Sequence, residues 1–219
     1  MKLIVRNTHK YLSFFISLQL LIWTVSGIYF AFNKIELVRG EKYFVQESYT
    51  MDLSEVDLKL SNVKSLRLLK RLDETIVVAS KGLDNSYLDR NGQPVEKLTR
   101  NEASLIVARK TSLVPTNVTE ITTPKKGSEY RGRALPLYKV LSKDIEENEI
   151  SVYVNAYSGD IVAIRSSSWR LWDLMWGLHI MDWQERDNIN NTLLKLFSIL
   201  ALMSSITGLL LFFKMDIKK

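Results

Sequence analysis

The sequence contains no cysteine and only two histidines among its 219 residues. The absence of cysteine excludes disulfides and thiolate metal sites. It also means that cysteine usage gives no indication of whether the protein lies in an oxidising or a reducing compartment. The sequence also shows no nucleophile–base pair, no glycine-rich phosphate loop and no dinucleotide-binding fingerprint. Covalent or acid–base catalysis is therefore not indicated.

Charge of one sign is not concentrated anywhere in the chain. Lys and Arg number 30 against 24 Asp and Glu, which gives a formal charge of +6, and the basic residues are scattered. A groove for nucleic acid is therefore not expected. The length allows one folded domain with membrane anchors, but not several domains.

Charged side chains are absent from residues 11–32, which follow a short basic lead at residues 1–10. As a helix this run extends about 33 Å, enough to cross a bilayer core of about 30 Å. It is longer than the apolar core of a secretory signal peptide, and the bulky residues 29–33 do not form a small-x-small cleavage site. We therefore predict a retained transmembrane helix at residues 11–32, with a cleaved signal peptide as the alternative.

A second transmembrane helix is predicted at residues 192–213, near the other end of the chain. Residues 196–213 are uncharged, and the preceding Lys195 can extend its ammonium group to the lipid headgroups. A basic tail follows at residues 214–219, so basic residues flank the outer ends of both spans. The positive-inside rule then places both termini in the cytoplasm and the intervening segment in a periplasm-like space.

Residues 33–167, between the two spans, are predicted to form the outer domain. Its strands are predicted from β-branched and aliphatic runs bounded by turns such as Asp73-Glu74 and Asn91-Gly92. The predicted strands lie at residues 64–72, 75–80, 135–141, 149–154 and 161–165, with a hairpin at 87–95. An irregular start followed by a strand is predicted at residues 35–49, and a strand or short helix at residues 53–60.

A helix is predicted within this domain at residues 101–110. Thr99 and Glu102 have the spacing of a capping box at its start. Residues 111–133 are polar and basic and contain two prolines, so they are predicted to form a solvated connector, with contact to anionic lipid or an acidic ligand as the alternative. The expected fold is an α+β membrane protein, in which two transmembrane helices flank an antiparallel sheet with one or two helices packed on it.

Four of the five tryptophans lie in residues 168–184. With Ser168 as the N-cap, one helical face carries aromatic rings and the second histidine of the chain. These residues are Trp169, Trp172, Trp176, His179 and Trp183. Because tryptophan prefers the membrane–water boundary, we predict an interfacial helix at the outer leaflet, followed by a polar turn and the second span.

Small side chains recur at helical spacing on both predicted spans. The first stripe contains His9, Ser13, Ser17, Leu20, Thr24, Gly27 and Ala31, and the second contains Ser198, Ala201, Ser205 and Gly208. Such stripes allow close approach of membrane helices. Alternatively they make room for a flat cofactor, which Gly27 and Gly208 would line.

The two histidines, His9 and His179, are expected near opposite faces of the membrane. One chain cannot then bring both to one metal, but in a two-fold dimer each can meet its own copy. Neutral imidazole is an ordinary haem ligand, so two bis-imidazole sites would carry electrons across the membrane, the outer one walled by Trp172, Trp176 and Trp183. The alternatives are a headgroup-level basic residue for His9 and a structural residue for His179.

Short motifs at both ends and in the later half of the outer domain carry a resemblance to a known family. They are residues 6–11 (RNTHKY), Gln19, residues 23–29 (WTVSGIY), 152–162 (VYVNAYSGDIV), 176–182 (WGLHIMD) and 206–209 (ITGL). The first three resemble the first helix of the PepSY-associated transmembrane family, the fourth resembles the strand–turn–strand of a PepSY domain, and the last two resemble the closing segment of the family. The order and spacing of the motifs are their specific part.

The resemblance implies a bacterial inner-membrane protein with a periplasmic PepSY-like domain. Some members are b-type haem reductases of iron(III) or iron(III)-siderophores, and His9 and His179 match histidines of the pattern. Longer relatives have four or more spans, whereas two are predicted here, so bis-histidine ligation of haem b would require a homodimer; the alternatives are that the chain binds one haem or none. The electron donor would be quinol or a cytoplasmic flavoprotein.

Two other functions stay open at this point. The chain could be a non-enzymatic accessory subunit, whose outer domain binds a partner protein while its spans pack in a larger membrane complex. Other PepSY domains bind or restrain proteases, so the outer domain could instead control a protease.

Overall fold

The computed structural model of the chain describes residues 2–45, 58, 60–82 and 84–216. The fold is α+β, with two long apolar helices at the termini and a sheet domain between them. The chain divides into two compact units. The helical unit comprises Met1–Ile35 and Arg170–Lys219, and the sheet unit comprises Glu36–Trp169.

The terminal helices are α1 (Lys2–Phe32) and α5 (Thr192–Asp216). Their segments Leu3–Phe32 and Thr192–Phe213 are long and apolar enough to cross a membrane, with mean hydropathies of 1.7 and 2.2. Only 17% and 6% of their most apolar windows are buried within the protein, so most of this apolar surface is left for another apolar environment. Membrane association is therefore supported, and α1 includes the basic lead as well as the predicted span.

Helices α1 and α5 are antiparallel neighbours. The Ser13 and Ser204 hydroxyls are 2.8 Å apart, and His9, one turn earlier, contacts Thr207, almost one turn later. At a rise of about 1.5 Å per residue, α5 begins about 18 Å from Ser204, at a level near residue 25 of α1. The last two turns of α1 therefore extend beyond the start of α5.

Helix α4 (Ser167–His179) begins in the sheet unit and ends in the helical unit, where its Trp172 and His179 contact α1. Predicted to reach residue 184, it ends earlier in a Schellman motif, in which Asp182 N–H donates to Gly177 O at 3.0 Å and Met181 N–H to Leu178 O at 3.3 Å. Met181 has φ +56°, the left-handed conformation that this motif requires. Trp183 lies beyond the helix, so it does not share the helical face of the other tryptophans.

The described residues of the sheet unit form two antiparallel sheets where the sequence predicted one. Three strands form the first sheet in chain order and four form the second. The strands are β1 (Ser65–Arg71), β2 (Glu74–Ser80), β3 (Asn85–Leu88), β4 (Val114–Ile121), β5 (Leu137–Lys143), β6 (Glu149–Asn155) and β7 (Ile161–Arg165). Helix α3 (Arg100–Lys110) follows the first sheet, so the chain leaves one sheet before it begins the next.

The capping box predicted at the start of α3 is confirmed. Glu102 N–H donates to the Thr99 hydroxyl at 3.3 Å, and Thr99 N–H donates to the Glu102 carboxylate at 2.7 Å. These reciprocal bonds satisfy two backbone donors that a helix end otherwise leaves unpaired. The Ala103, Ile106 and Val107 side chains of α3 are fully buried against the four-stranded sheet.

Three segments differ from the prediction or lie outside the description. Residues 111–133 are not a connector throughout, because β4 occupies Val114–Ile121 and pairs with β5. The start of the outer domain forms the short helix α2 (Ile35–Val38) and a 3-10 turn (Glu41–Tyr43), with Phe44 in an isolated bridge to Thr111. Apart from residues 58 and 60, the strand or helix predicted at residues 53–60 lies outside the described residues, as do residues 46–49.

Candidate functional site around the two histidines

His9 is half-buried on α1 and is anchored by α5 through one ring nitrogen. Its Nδ1 lies 3.1 Å from Ser204 O and 3.0 Å from Thr207 Oγ1. A carbonyl oxygen can only accept a hydrogen bond, so the contact with Ser204 O is satisfied when Nδ1 carries the hydrogen. The imidazole is therefore oriented by the backbone of the neighbouring helix.

Gly208 leaves the space that the His9 ring occupies. A Cβ atom built on Gly208 would lie 3.1 Å from His9 Cε1 and 3.7 Å from Nε2. Such a separation is tighter than an ordinary van der Waals contact, so a side chain at this position would press on the ring. The sequence predicted Gly208 as a lining residue of a cofactor site, and in the structure Gly208 lies directly against the His9 ring.

His179, the last residue of α4, is held against α1 by two hydrogen bonds. Its Nδ1 lies 2.7 Å from the Ser26 hydroxyl, and Trp23 Nε1–H donates to its backbone carbonyl at 2.7 Å. Ser26 is fully buried. Burial lowers the pKa of His179 below its ordinary value, which favours the neutral imidazole that binds metals.

An aromatic cluster surrounds His179. Trp172 and Trp176 stack with ring centroids 5.7 Å apart, and Trp176 is nearly parallel to the His179 ring at 6.5 Å. Phe30 of α1 contacts all three rings, with the Trp172 centroid at 4.9 Å and the His179 centroid at 5.7 Å. Of the three tryptophans predicted to wall the outer site, Trp176 lies beside His179 and Trp172 stacks with Trp176. Trp183 is 58% exposed and has no ring contact among the described residues.

The loop between α4 and α5 holds the His179 end of α4 in place. The Asp182 carboxylate accepts the backbone N–H groups of Glu185, Asp187 and Asn188 at 3.0–3.1 Å. Burial alone would raise the pKa of Asp182, but these N–H groups stabilise the carboxylate and bring the pKa below its ordinary value. Asn191 donates to Ile180 O at 2.9 Å and caps α5, which joins the two helices directly.

The two histidines cannot hold one metal together in one chain. From His9 to Ser26, the partner of His179, α1 rises about 25 Å. Among the described residues there is also no group of three or more His, Cys, Asp or Glu that could hold a metal ion. What the histidines share is their geometry, because each Nδ1 is anchored while Nε2 has no hydrogen-bond partner in the described parts of the chain.

This shared geometry fits residues that would hold haem iron. A histidine that ligates a metal through one ring nitrogen usually donates the other N–H to a carbonyl or another acceptor, which fixes the tautomer and the ring orientation. His9 has a carbonyl and a hydroxyl at Nδ1, and His179 has a hydroxyl. Haem iron could be held at Nε2 of each residue without breaking these contacts.

Of the small-residue stripe of α1, His9 and Ser13 pack against α5, whereas most of the later members do not pack within the chain. Ser17, Leu20, Thr24 and Ala31 are exposed, and no heavy atom lies within 4 Å of a Cβ built on Gly27. The buried positions of α1 include Ile16, Gln19 and Ser26. In the second stripe Ser198 and Ser205 are exposed, while the neighbouring Ser204 is buried.

Sequence reasoning missed the anchoring residues of both histidines. Ser26, Ser204 and Thr207 hold the rings, and Trp23 holds the backbone at His179. A usable signal exists in α1, where the polar-tipped residues Gln19, Trp23 and Ser26 recur at helical spacing in an apolar run. For α5 the rotation of the helix could not be read from the sequence, because several of its faces carry Ser, Thr or Gly.

Comparisons with protein-family models, curated proteins and solved structures gave no match to this chain. The resemblance to the PepSY-associated transmembrane family therefore stays a prediction from the motifs, and the functional argument depends on the geometry of the two histidines.

Proposed function

We propose that this protein is a membrane-anchored, homodimeric haem b protein that transfers electrons across the bacterial inner membrane. The observation that supports it most is the matched geometry of His9 and His179, each anchored at Nδ1 and without a partner at Nε2 among the described residues. Each histidine would pair with its copy across a two-fold axis.

Each haem would supply a one-electron couple, and the chain would supply position and surroundings. At the inner site, Ser204 and Thr207 fix the His9 ring and Gly208 leaves the space for it. At the outer site Ser26 fixes His179, while Trp176, which stacks with Trp172, would shield one side of the ring from water. Lowering solvent access in this way is one of the means by which a protein sets a haem potential.

The proposed topology follows from the apolar helices and the basic ends of the chain. Leu3–Phe32 and Thr192–Phe213 would cross the membrane, with both termini in the cytoplasm and the sheet unit in the periplasm. Electrons would pass from the site at His9 to the site at His179, about 25 Å away along α1. Iron(III) or an iron(III)-siderophore as acceptor, and quinol or a flavoprotein as donor, are proposed from the family resemblance.

Absorption spectroscopy of the full chain tests this proposal. Protein purified in detergent from haem-replete cells should give a reduced-minus-oxidised b-type spectrum with one haem per histidine pair. His9→Ala and His179→Ala should each remove about half of the bound haem, and the double variant should remove all of it. Lys10→Gln, one residue from His9 on an exposed position of the same helix, is the matched control and should keep the full spectrum.

Two results would contradict the proposal. One is a colourless wild-type protein after reconstitution with hemin. The other is a double histidine variant that keeps its haem, because the spectrum would then come from other ligands.

A cleft in the sheet unit favours a second candidate, the accessory subunit that binds a partner protein. The cleft has a volume of about 510 Å³ and lies between β2, the segment after β3 and the start of α3. Charged side chains of both signs line it, including Arg71, Glu74, Asp89, Arg90, Glu96 and Lys97. A colourless protein that co-purifies with a stoichiometric partner, lost on Glu96→Lys, would favour this candidate over haem binding.

A further inference from the structure

Ser26 contacts three hydrogen-bonding groups but has only one hydrogen to donate. Its hydroxyl oxygen lies 2.7 Å from Ile22 O, 3.2 Å from Trp23 O and 2.7 Å from His179 Nδ1. The two carbonyl oxygens can only accept, whereas Nδ1 can donate or accept depending on the tautomer. The direction of the hydrogen bond to His179 therefore depends on where the single hydroxyl hydrogen goes.

One arrangement satisfies the two short contacts together. If Ser26 donates to Ile22 O, its oxygen is free to accept the hydrogen of His179 Nδ1. If Ser26 donated to Nδ1 instead, two acceptor oxygens would face each other at 2.7 Å with no hydrogen between them. Such an unpaired contact between buried polar atoms costs free energy, and it would lie in a fully buried position.

We infer that Ser26 is a positioning residue that fixes His179 in the Nδ1–H tautomer and so leaves the ring lone pair on Nε2. The inference deepens the proposed function and rests on it for its purpose, because Nε2 is the atom that would bind haem iron. The buried Ser26 hydroxyl thereby determines which nitrogen of His179 has the lone pair that can bind a metal.

His9 is different, because its tautomer does not depend on a hydroxyl. Thr207 Oγ1 lies 2.9 Å from both Met203 O and Ser204 O, so it too can donate to a carbonyl and accept from Nδ1. However, His9 Nδ1 also contacts Ser204 O, a backbone carbonyl that no side-chain substitution removes. Removing the Thr207 hydroxyl should therefore leave the tautomer of His9 unchanged.

Nitrogen NMR of the haem-free full chain tests this inference. Protein labelled with ¹⁵N-histidine and held in detergent micelles at neutral pH should show two rings, since the chain contains two histidines. The two His→Ala variants assign them. Both rings should have the shifts of the Nδ1–H tautomer in the wild type.

The decisive variants are Ser26→Ala and Thr207→Val, which remove one hydroxyl each with little change of volume. Ser26→Ala should shift the His179 tautomer ratio towards Nε2–H about tenfold, the effect of one typical hydrogen bond, and Ser26→Thr should restore it. Thr207→Val should leave the His9 shifts unchanged. An Nε2–H tautomer of His179 in the wild type, or an unchanged ratio in Ser26→Ala, would overturn the inference.

The same measurement separates this inference from the proposed function. It uses protein without haem, so a fixed tautomer in a protein that never binds haem would support the positioning role and reject haem binding. A full haem spectrum with no tautomer preference in the haem-free chain would support haem binding and reject the positioning role of Ser26.

Discussion

Replacing Gly208 by alanine tests whether the His9 ring is seated on α5 as described. The new methyl carbon would lie 3.1 Å from His9 Cε1, so the ring or the helix must move by a few tenths of an ångström. Gly27 is the matched control, since it is also a glycine within an apolar helix but has no heavy atom within 4 Å of its Cβ position. The two substitutions therefore share the change in helix propensity and differ in the contact.

The expected magnitudes follow from these two terms. Alanine stabilises a helix interior by about 1 kcal/mol relative to glycine, and Gly27→Ala should gain up to that amount. At Gly208 the same gain is opposed by overpacking, which typically costs about 1–3 kcal/mol. We therefore expect Gly208→Ala to be less stable than Gly27→Ala by about 1–3 kcal/mol.

The assay is the free energy of unfolding of the full chain in mixed micelles, followed by circular dichroism as the denaturing detergent is increased. The ¹⁵N shifts of the His9 ring should also change in Gly208→Ala and stay constant in Gly27→Ala. Equal stability of the two variants, together with unchanged His9 shifts, would refute the close contact between Gly208 and His9.

Two further predictions concern the sheet unit and can be checked by denaturation of the full chain. Gly159 and Gly132 have similar positive φ values of 69° and 71°, but a Cβ on Gly159 would lie 2.8 Å from Ile106 Cδ1, and one on Gly132 would meet nothing within 4 Å. Gly159→Ala should therefore cost about 1–3 kcal/mol more than Gly132→Ala, and equal losses would contradict the close packing of this turn. Hydrogen bonds from the backbone and side chain of Thr99 lower the pKa of Glu102. Above the ordinary Glu pKa of 4.5 the capping box should therefore stabilise the protein fully, and this stabilisation should be lost as the pH falls through the lowered pKa of Glu102. Thr99→Ala should lower the free energy of unfolding by about 1 kcal/mol at neutral pH. Glu102→Gln should make the free energy of unfolding less dependent on acidic pH. An unchanged pH profile in Glu102→Gln would contradict the assignment of this pH dependence to Glu102.

Local signals predicted most of the sheet unit correctly. The strands near Leu68 and Val77 and the helix after Thr99 were recognised because periodicity, turn residues and the capping box lie within a few residues of one another. Strand β4 was missed because its polar, proline-containing sequence is that of an edge strand, and it is stabilised by pairing with β5. The division into two sheets depends on pairing between distant segments, which local patterns do not encode.

In the candidate site too, some residues could be predicted from local sequence and others could not. His9 and His179 could be selected from the sequence because they are the two histidines of the chain. Their anchors could not, because Ser26 and Thr207 reach the rings through the rotation and register of separate helices. Whether each histidine contacts its copy depends on the association of two chains, which short sequence patterns do not predict.

The antiparallel register of the helical unit has a consequence for biosynthesis. Ser26 and His179 are 153 positions apart, and His9 and Thr207 are 198 apart, so the ribosome completes the sheet unit before either partner of α1 exists. During that time the polar side chains of an inserted α1 would face lipid without their final hydrogen bonds. A nascent chain that stops before α5 would therefore have an α1 in which His9 and Ser13 lack their hydrogen-bond partners Thr207 and Ser204.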